Sequence, residues 1–385
     1  MRACRSGRNN SRPRHAQPLL AVILVLLLVA LSGAQDAKLA PEKQKQIEAA
    51  VARFMAAKSA PGVSVAVVEN SAYEWSAGFG MADLENFVPA TSQTLYRLGS
   101  ISKPITATAA MVLWQERKLD LDAPVQKYCP AFPQKDAVIT TRQVLGHLGG
   151  IRHYKSGSQD DPEIGNTRHF DDTVQSGLKF FAADPLVDKP GAAFHYSTQG
   201  FTLVACAIEG ASGEKYVDFV RKDVLQPAGM THTVTDDRFA IIPYRTRFYQ
   251  KDKTEHVLNA DFLDSSYKVA GGGWLSSAED MAQFAVAMLN DRIVQHSTRD
   301  LMWTSLDAGD GKPTGYGLGW GVGHDLGVPD VGHNGGQQGT STSLILVPER
   351  KTAVVVLINM EDADSSALAN EIMKILLGIG NTTAK

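Results

Sequence analysis

Four Ser-x-x-Lys pairs occur in the chain: Ser100/Lys103, Ser176/Lys179, Ser212/Lys215 and Ser265/Lys268. A serine one helical turn ahead of a lysine can act as a nucleophile. The two side chains share a face, and the amine can take the hydroxyl proton once burial or nearby cations reduce its own hold on protons. Context separates the four. Ser100 follows an extended segment, "TLYRLG", and opens the apolar run Ile105, Ala109, Met111 and Val112. Its hydroxyl therefore falls at a helix N-terminus, where unpaired N–H groups and the positive end of the helix dipole favour developing negative charge. Pro104 is acceptable in the first turn of such a helix. Ser176/Lys179 lies inside an amphipathic helical pattern and reads as a solvated face, and Ser212/Lys215 reads as a helix end and a restart. Ser265/Lys268 precedes the glycine run "AGGGW", where Tyr267 and Lys268 would border a pocket. The bland alternative for Ser100 is a helix cap.

Two later stretches complete a chemistry around Ser100. "HYSTQG" places Tyr196 two residues before Thr198, and "GHNGGQQG" places His333 two residues before Gly335. A tyrosine beside a Ser/Lys pair relays protons if cations depress its pKa from about 10. A histidine followed by two glycines at a strand edge leaves backbone room for a substrate. The N–H of Gly336 would then share a developing oxyanion with the N–H of Ser100.

Ser100-Ile101-Ser102-Lys103, Tyr196-Ser197-Thr198 and His333-Asn334-Gly335 stand in the chain order of the serine β-lactamase and penicillin-binding-protein superfamily, which the sequence resembles. The His-x-Gly third motif is similar to the class C-like branch, which also holds esterases, D-amino-acid peptidases and carboxypeptidases. The stretches "TRQVLGHLGGIRHY", "KPGAAFHYSTQGF", "AGGGWLSSAEDMAQFAVAML" and "FFAADPLVDKPG" resemble a mitochondrial serine β-lactamase-like group and its bacterial relatives, and the likeness spans nearly all of residues 41–376. It implies Ser100, Lys103 and Tyr196 as catalytic residues, with Thr198, His333, Gly335 and Gly336 lining the substrate site. It implies acyl-enzyme hydrolysis of a small peptide, ester or β-lactam, with no cofactor and no metal. Thr198 stands where lactamases of this branch usually carry Asn, whose amide both accepts and donates better than a hydroxyl. His333 stands in place of a permanently charged Lys and would be charged only below a pKa near 6.5. Both departures favour a peptidase, D-Ala carboxypeptidase or esterase over an efficient β-lactamase. The alternatives are a β-lactamase of low efficiency and a catalytically silent binding or self-assembling protein on the same scaffold. Gly149 stands where relatives often have Ser, without an evident reason.

The elements that must hold these residues follow from periodicity. Residues 41–58 show helical spacing of Ile47, Val51, Phe54 and Met55. "GVSVAVVEN" and "YEWSAGFGMADL" read as antiparallel strands, and "STSLILVP" and "TAVVVLIN" as a second hairpin, followed by the amphipathic helix "SSALANEIMKILLGI". Residues 100–240 are mostly helical. The fold class is therefore α+β: an antiparallel sheet flanked by helices and built from both chain ends, with a mainly helical region inserted, and a cleft between the two parts for a ligand.

Composition bounds the rest. The 385 residues suffice for one large domain or two intertwined ones. Residues 1–34 hold five arginines and no acid, and removing them takes the formal net charge from −3 to −8, which argues against a nucleic-acid partner. Those residues read as a signal peptide: a basic start, the apolar run Leu19 to Leu31, then Ser32-Gly33-Ala34. The apolar run is short for a membrane span of roughly 20 residues. Export to the periplasm or outside is the expectation; an uncleaved membrane anchor and a mitochondrial presequence are the alternatives. Cys129 and Cys206 can pair if they are close, but Cys206, in a helical apolar pattern, reads as simply buried. His147 reads as a structural hydrogen-bonding residue, Arg152 and His153 as surface with a place in the cleft as the alternative, Asp160 to Glu163 as a solvated acidic loop with calcium as the alternative though the EF-hand spacing is absent, and Trp274 and Trp320 as core.

Overall fold

The computed structural model describes residues 39–155 and 163–379. The expected signal segment, residues 1–34, and residues 160–162 of the acidic loop lie outside them. The first described helix, α1 (Pro41–Lys58), buries Ile47, Ala50, Val51 and Phe54 and ends at Ser59 in the left-handed region. Strands β1 (Gly62–Glu69), β2 (Ala72–Asp83) and β3 (Val88–Pro89) follow. Near the other end come β4 (Gly321–Gly323), β5 (Asp330–Gln337), β6 (Thr340–Val347) and β7 (Thr352–Ile358). Together they make a seven-stranded sheet in the order β3-β2-β1-β7-β6-β5-β4, antiparallel at every pairing. The two chain ends meet at its centre, where Val65 of β1 lies opposite Val356 of β7.

Between the sheet halves run α2 (Ser102–Gln115), α3 (Thr173–Phe181), α4 (Thr198–Ser212) and α5 (Ala278–Leu289), and α6 (Ser365–Leu377) closes the described chain. Alternation along β1 feeds two cores. Val63, Val65 and Val67 pack with α1 and α6, while Ala66 and Val68 face the larger core that holds α2, α4 and α5. Helix α2 is buried along its whole run from Ser102 to Leu113, so both its apolar residues and its threonines face protein. Thr106 and Thr108 satisfy their hydroxyls on the carbonyls of Ser102 and Pro104, one turn back. Trp274 and Trp320 are fully buried, as expected.

Three expectations are corrected. Cys206 is not merely buried: it is disulfide-bonded to Cys129, with Cα atoms 5.3 Å apart. Glu163 is not solvated: it is 5 % exposed, and its carboxylate accepts two 2.8 Å bonds from the Arg152 guanidinium. Arg152 in turn is no surface residue. It also donates to Asp184 Oδ2 (2.6 Å) and to the Phe180 and His153 carbonyls, so its fork is consumed in tying α3 to the loop before α4.

Candidate active site

Ser100 sits in a 3₁₀ turn, Gly99–Ile101, that leads directly into α2. The turn is pinned on both sides. Leu98 N–H donates to the Trp274 carbonyl (2.9 Å), and the hydroxyls of Thr340 and Thr342 on β6 donate to the Arg97 and Leu98 carbonyls (2.9 and 2.8 Å). Gly99 has φ +53, and a Cβ there would come within 2.8 Å of the Gly336 nitrogen. Glycine is thus needed both for the left-handed backbone and for the close approach of β5. At Gly335 a Cβ would meet the Leu98 carbonyl oxygen. The space this glycine leaves is filled by the chain leading into the Ser100 turn rather than by a substrate. Around a Cβ on Gly336 there is open space, and Gly336 lines the cleft with Ser100.

Lys103 is fully buried, and its Nζ has three neighbours: Ser100 Oγ at 2.9 Å, Thr198 Oγ1 at 3.1 Å and the Gly271 carbonyl at 2.9 Å. Burial first, and then the positive charge of Lys268, hold its pKa well below the usual lysine value. A neutral amine fits these contacts. Its two N–H groups serve Gly271 and Thr198, and its lone pair accepts the Ser100 hydroxyl proton. Tyr196 OH donates to Ser100 Oγ at 2.7 Å. The expected depression of its pKa is not found: burial pushes it up to about 12, outweighing the hydrogen bond to Ser100. Tyr196 is therefore a protonated donor at neutral pH.

Thr198 is the first residue of α4, capped by Ser197, whose hydroxyl accepts the Gly200 N–H at 2.9 Å. His147 carries the neighbouring backbone. Its Nδ1 accepts the Ser197 N–H (3.1 Å), and its ring lies 4.4 Å from Tyr196 and 4.7 Å from Tyr316. This is the structural role expected of it, and it fixes the face of the Tyr196 ring.

His333 reaches the same region from β5, its ring centroid 6.2 Å from that of Tyr196. Nδ1 donates to the Asn334 carbonyl (2.6 Å), leaving Nε2 to accept the Tyr316 hydroxyl at 2.9 Å. Burial, reinforced by Lys103, pulls its pKa down to about 3, so the ring is neutral well below the expected 6.5. Tyr196 and His333 both line a second cavity of about 590 Å³, adjoining the Ser100 cleft of about 300 Å³ at Tyr196.

His153 takes the alternative of its two expected placings, in the cleft, and Tyr154, to which the sequence assigned no role, lies there with it. His153 lines the cleft, accepts the Thr198 N–H on Nδ1 (3.3 Å) and stacks on Tyr154 at 4.3 Å. Burial lowers its pKa to about 4, so it too is neutral. Lys268, expected near a pocket, lines this one.

The sequence pattern of the Beta-lactamase family matches residues 47–376. The human serine beta-lactamase-like protein LACTB, mitochondrial, is 31% identical over 380 residues, covering 75% of this chain and 69% of that protein. Among solved structures, the octameric penicillin-binding protein homologue from Pyrococcus abyssi is 27% identical with a TM-score of 0.75, over 87% of this chain and 77% of its own. A D-stereospecific amidohydrolase from Streptomyces sp. is 26% identical with a TM-score of 0.70, over 86% and 96%. A sheet closed by both chain ends, a serine turn opening a buried helix and three motifs brought together around that turn agree with that match, and the chain belongs to the beta-lactamase and penicillin-binding-protein superfamily.

Proposed function

We propose that the protein is a serine hydrolase that forms an acyl-enzyme on Ser100 with amide or ester substrates, of the peptidase, D-Ala carboxypeptidase or esterase type. The observation that carries this is the placing of Ser100 Oγ between a buried lysine of lowered pKa and a protonated tyrosine, 2.9 and 2.7 Å away. Oγ attacks the carbonyl carbon as its proton passes to Lys103 Nζ. The N–H groups of Ser100 and Gly336 receive the oxyanion. The bond to the leaving nitrogen or oxygen then breaks, and that atom takes a proton from Tyr196, which is reprotonated from Lys103. Water enters on the same base and releases the acid.

Efficient β-lactam hydrolysis is the weaker reading, because neutral His333 offers no charge to a β-lactam carboxylate. The Cys129–Cys206 bond supports an oxidising compartment, in keeping with export. A fluorophosphonate probe should label the folded protein, and mass spectrometry should map the adduct to Ser100. Folded protein that takes no label would support a silent scaffold instead.

Tyr196→Phe removes the donor without changing the ring. It is expected to lower kcat/KM for a p-nitrophenyl ester about 100-fold while Ser100 still labels, more slowly. An unchanged kcat/KM would take the proton path away from Tyr196.

A further inference from the structure

One charged side chain of the cleft makes no hydrogen bond to Ser100, Lys103 or Tyr196. Lys268 ends the 3₁₀ turn Ser266–Lys268, is 3 % exposed and lines the cleft with Ser100, Tyr154 and Gln337. Its hydrogen bond among the described residues is a long one, 3.3 Å to the Tyr154 hydroxyl, and its Nζ lies over the Tyr154 and Tyr267 rings at 5.4 and 5.5 Å. An ammonium has three donors to place. No carboxylate among the described residues comes within 4.0 Å of it. The charge that acts on it is that of Arg97, whose own partner is Asp236 at 2.7 Å. Burying a cation without a counter-charge is costly, and here burial and then Arg97 pull its pKa down to about 7.

A second unmet donor faces the same cleft. The Gln337 side-chain nitrogen is buried and has no hydrogen-bond partner among the described residues. The cleft wall thus offers donors in excess of acceptors. On the other side of Tyr196, His333 is neutral, so the position where relatives carry a charged lysine supplies no anion clamp.

We propose that Lys268 is the anion anchor of this site, and that the substrates carry a carboxylate which pairs with Nζ against the Tyr154 wall while the reacting carbonyl sits at Ser100. This rests on the acyl-enzyme reading and names its substrate class. The arriving carboxylate supplies the counter-charge that the wall lacks and draws the proton firmly back onto Nζ. Tyr154 and Tyr267 close the sides of the ammonium, and Gln337 adds a neutral donor to the acid or to the acyl chain.

The test measures binding apart from turnover. In a Ser100→Ala background, calorimetry compares the mono-p-nitrophenyl esters of succinic, glutaric and adipic acid with p-nitrophenyl butyrate. It also compares 4-acetoxybenzoate, which carries the charge on the leaving side, with its methyl ester. At least one acid should bind about tenfold tighter than its neutral counterpart, the scale of one charge-assisted hydrogen bond. Adding Lys268→Met should erase that preference and change the neutral ligands less than about twofold. Lys268→Gln serves the same comparison if the methionine variant does not fold. Equal affinities within every pair, no detectable binding of any acid, or a preference that survives both substitutions overturns the anchor. Hydrolysis of the butyrate ester by the wild type decides the other reading separately. An inactive wild type with a Lys268-dependent preference keeps the anchor and removes the enzyme. An active one without the preference does the reverse.

Discussion

Lys103→Met is expected to lower kcat/KM about 10⁴-fold for any ester that Ser100 accepts, and to leave the protein at least as stable as the wild type. Methionine matches the length and apolar stem of lysine but has no lone pair for the Ser100 proton and no N–H for Thr198 or Gly271. The loss should appear in the rate of labelling as well as in turnover, because both need a deprotonated Oγ. In the wild type, kcat/KM should rise with pH until Lys103 has lost its proton and then level off. That acid limb should be missing from the residual activity of the variant.

The stability half of this prediction follows from the same shift. The folded Lys103 holds its proton less tightly than an unfolded lysine, so between the two pKa values the unfolded chain binds more protons. Wild-type stability therefore gains from this group as pH rises towards the ordinary lysine value of about 10.4. The methionine variant lacks that dependence. Its advantage in Tm should be largest on the acid side and shrink as pH rises towards the ordinary lysine value of about 10.4, read by thermal melts across that range. A Tm that falls at every pH would mean that the three contacts of Nζ outweigh its burial, and would argue against a neutral amine.

The parts of the site that were legible in the sequence are those fixed by local chain geometry. Ser100 before a helical run and His333 at a strand edge beside a hairpin each declare their element, and an element's end fixes where its side chains emerge. The sheet was legible for the same reason, since the alternation in β1 and β7 survives into two cores. Protonation states were not legible. Tyr196 was expected to be acidified by a neighbouring cation, yet burial of its phenol outweighs its hydrogen bonds and raises its pKa. His333 loses its charge to burial as well. Local polarity misled at Glu163, which follows two aspartates and reads as solvated, because its partner Arg152 is brought to it only by the folded loop. The contact of His153 with the Thr198 N–H was hidden likewise, since it spans 45 residues.

Removing the disulfide, as Cys129→Ala with Cys206→Ala, is expected to cost about 4 kcal/mol of stability, on the chain-entropy argument for a loop of this length. The two cysteines are 77 residues apart in sequence. Cys206 lies in the middle of α4, the helix that Thr198 begins, and Cys129 follows the 3₁₀ turn Val125–Lys127. The closed loop contains His147, His153, Tyr196 and Thr198, whereas Ser100, Lys103 and Lys268 lie outside it. The bond therefore closes the segment that carries Tyr196 and Thr198, while Ser100 lies outside it. Urea titration of the double variant should show the lost stability. Below the transition, kcat/KM should stay within about threefold of the wild type, because Tyr196 and Thr198 keep their own partners. A loss under about 1 kcal/mol would mean that the folded strands and helices already hold the loop closed. The size of the expected effect bears on where the chain works. A cost of about 4 kcal/mol is a large share of the 5–15 kcal/mol that holds a typical domain together, so a reducing compartment would leave this one near its margin.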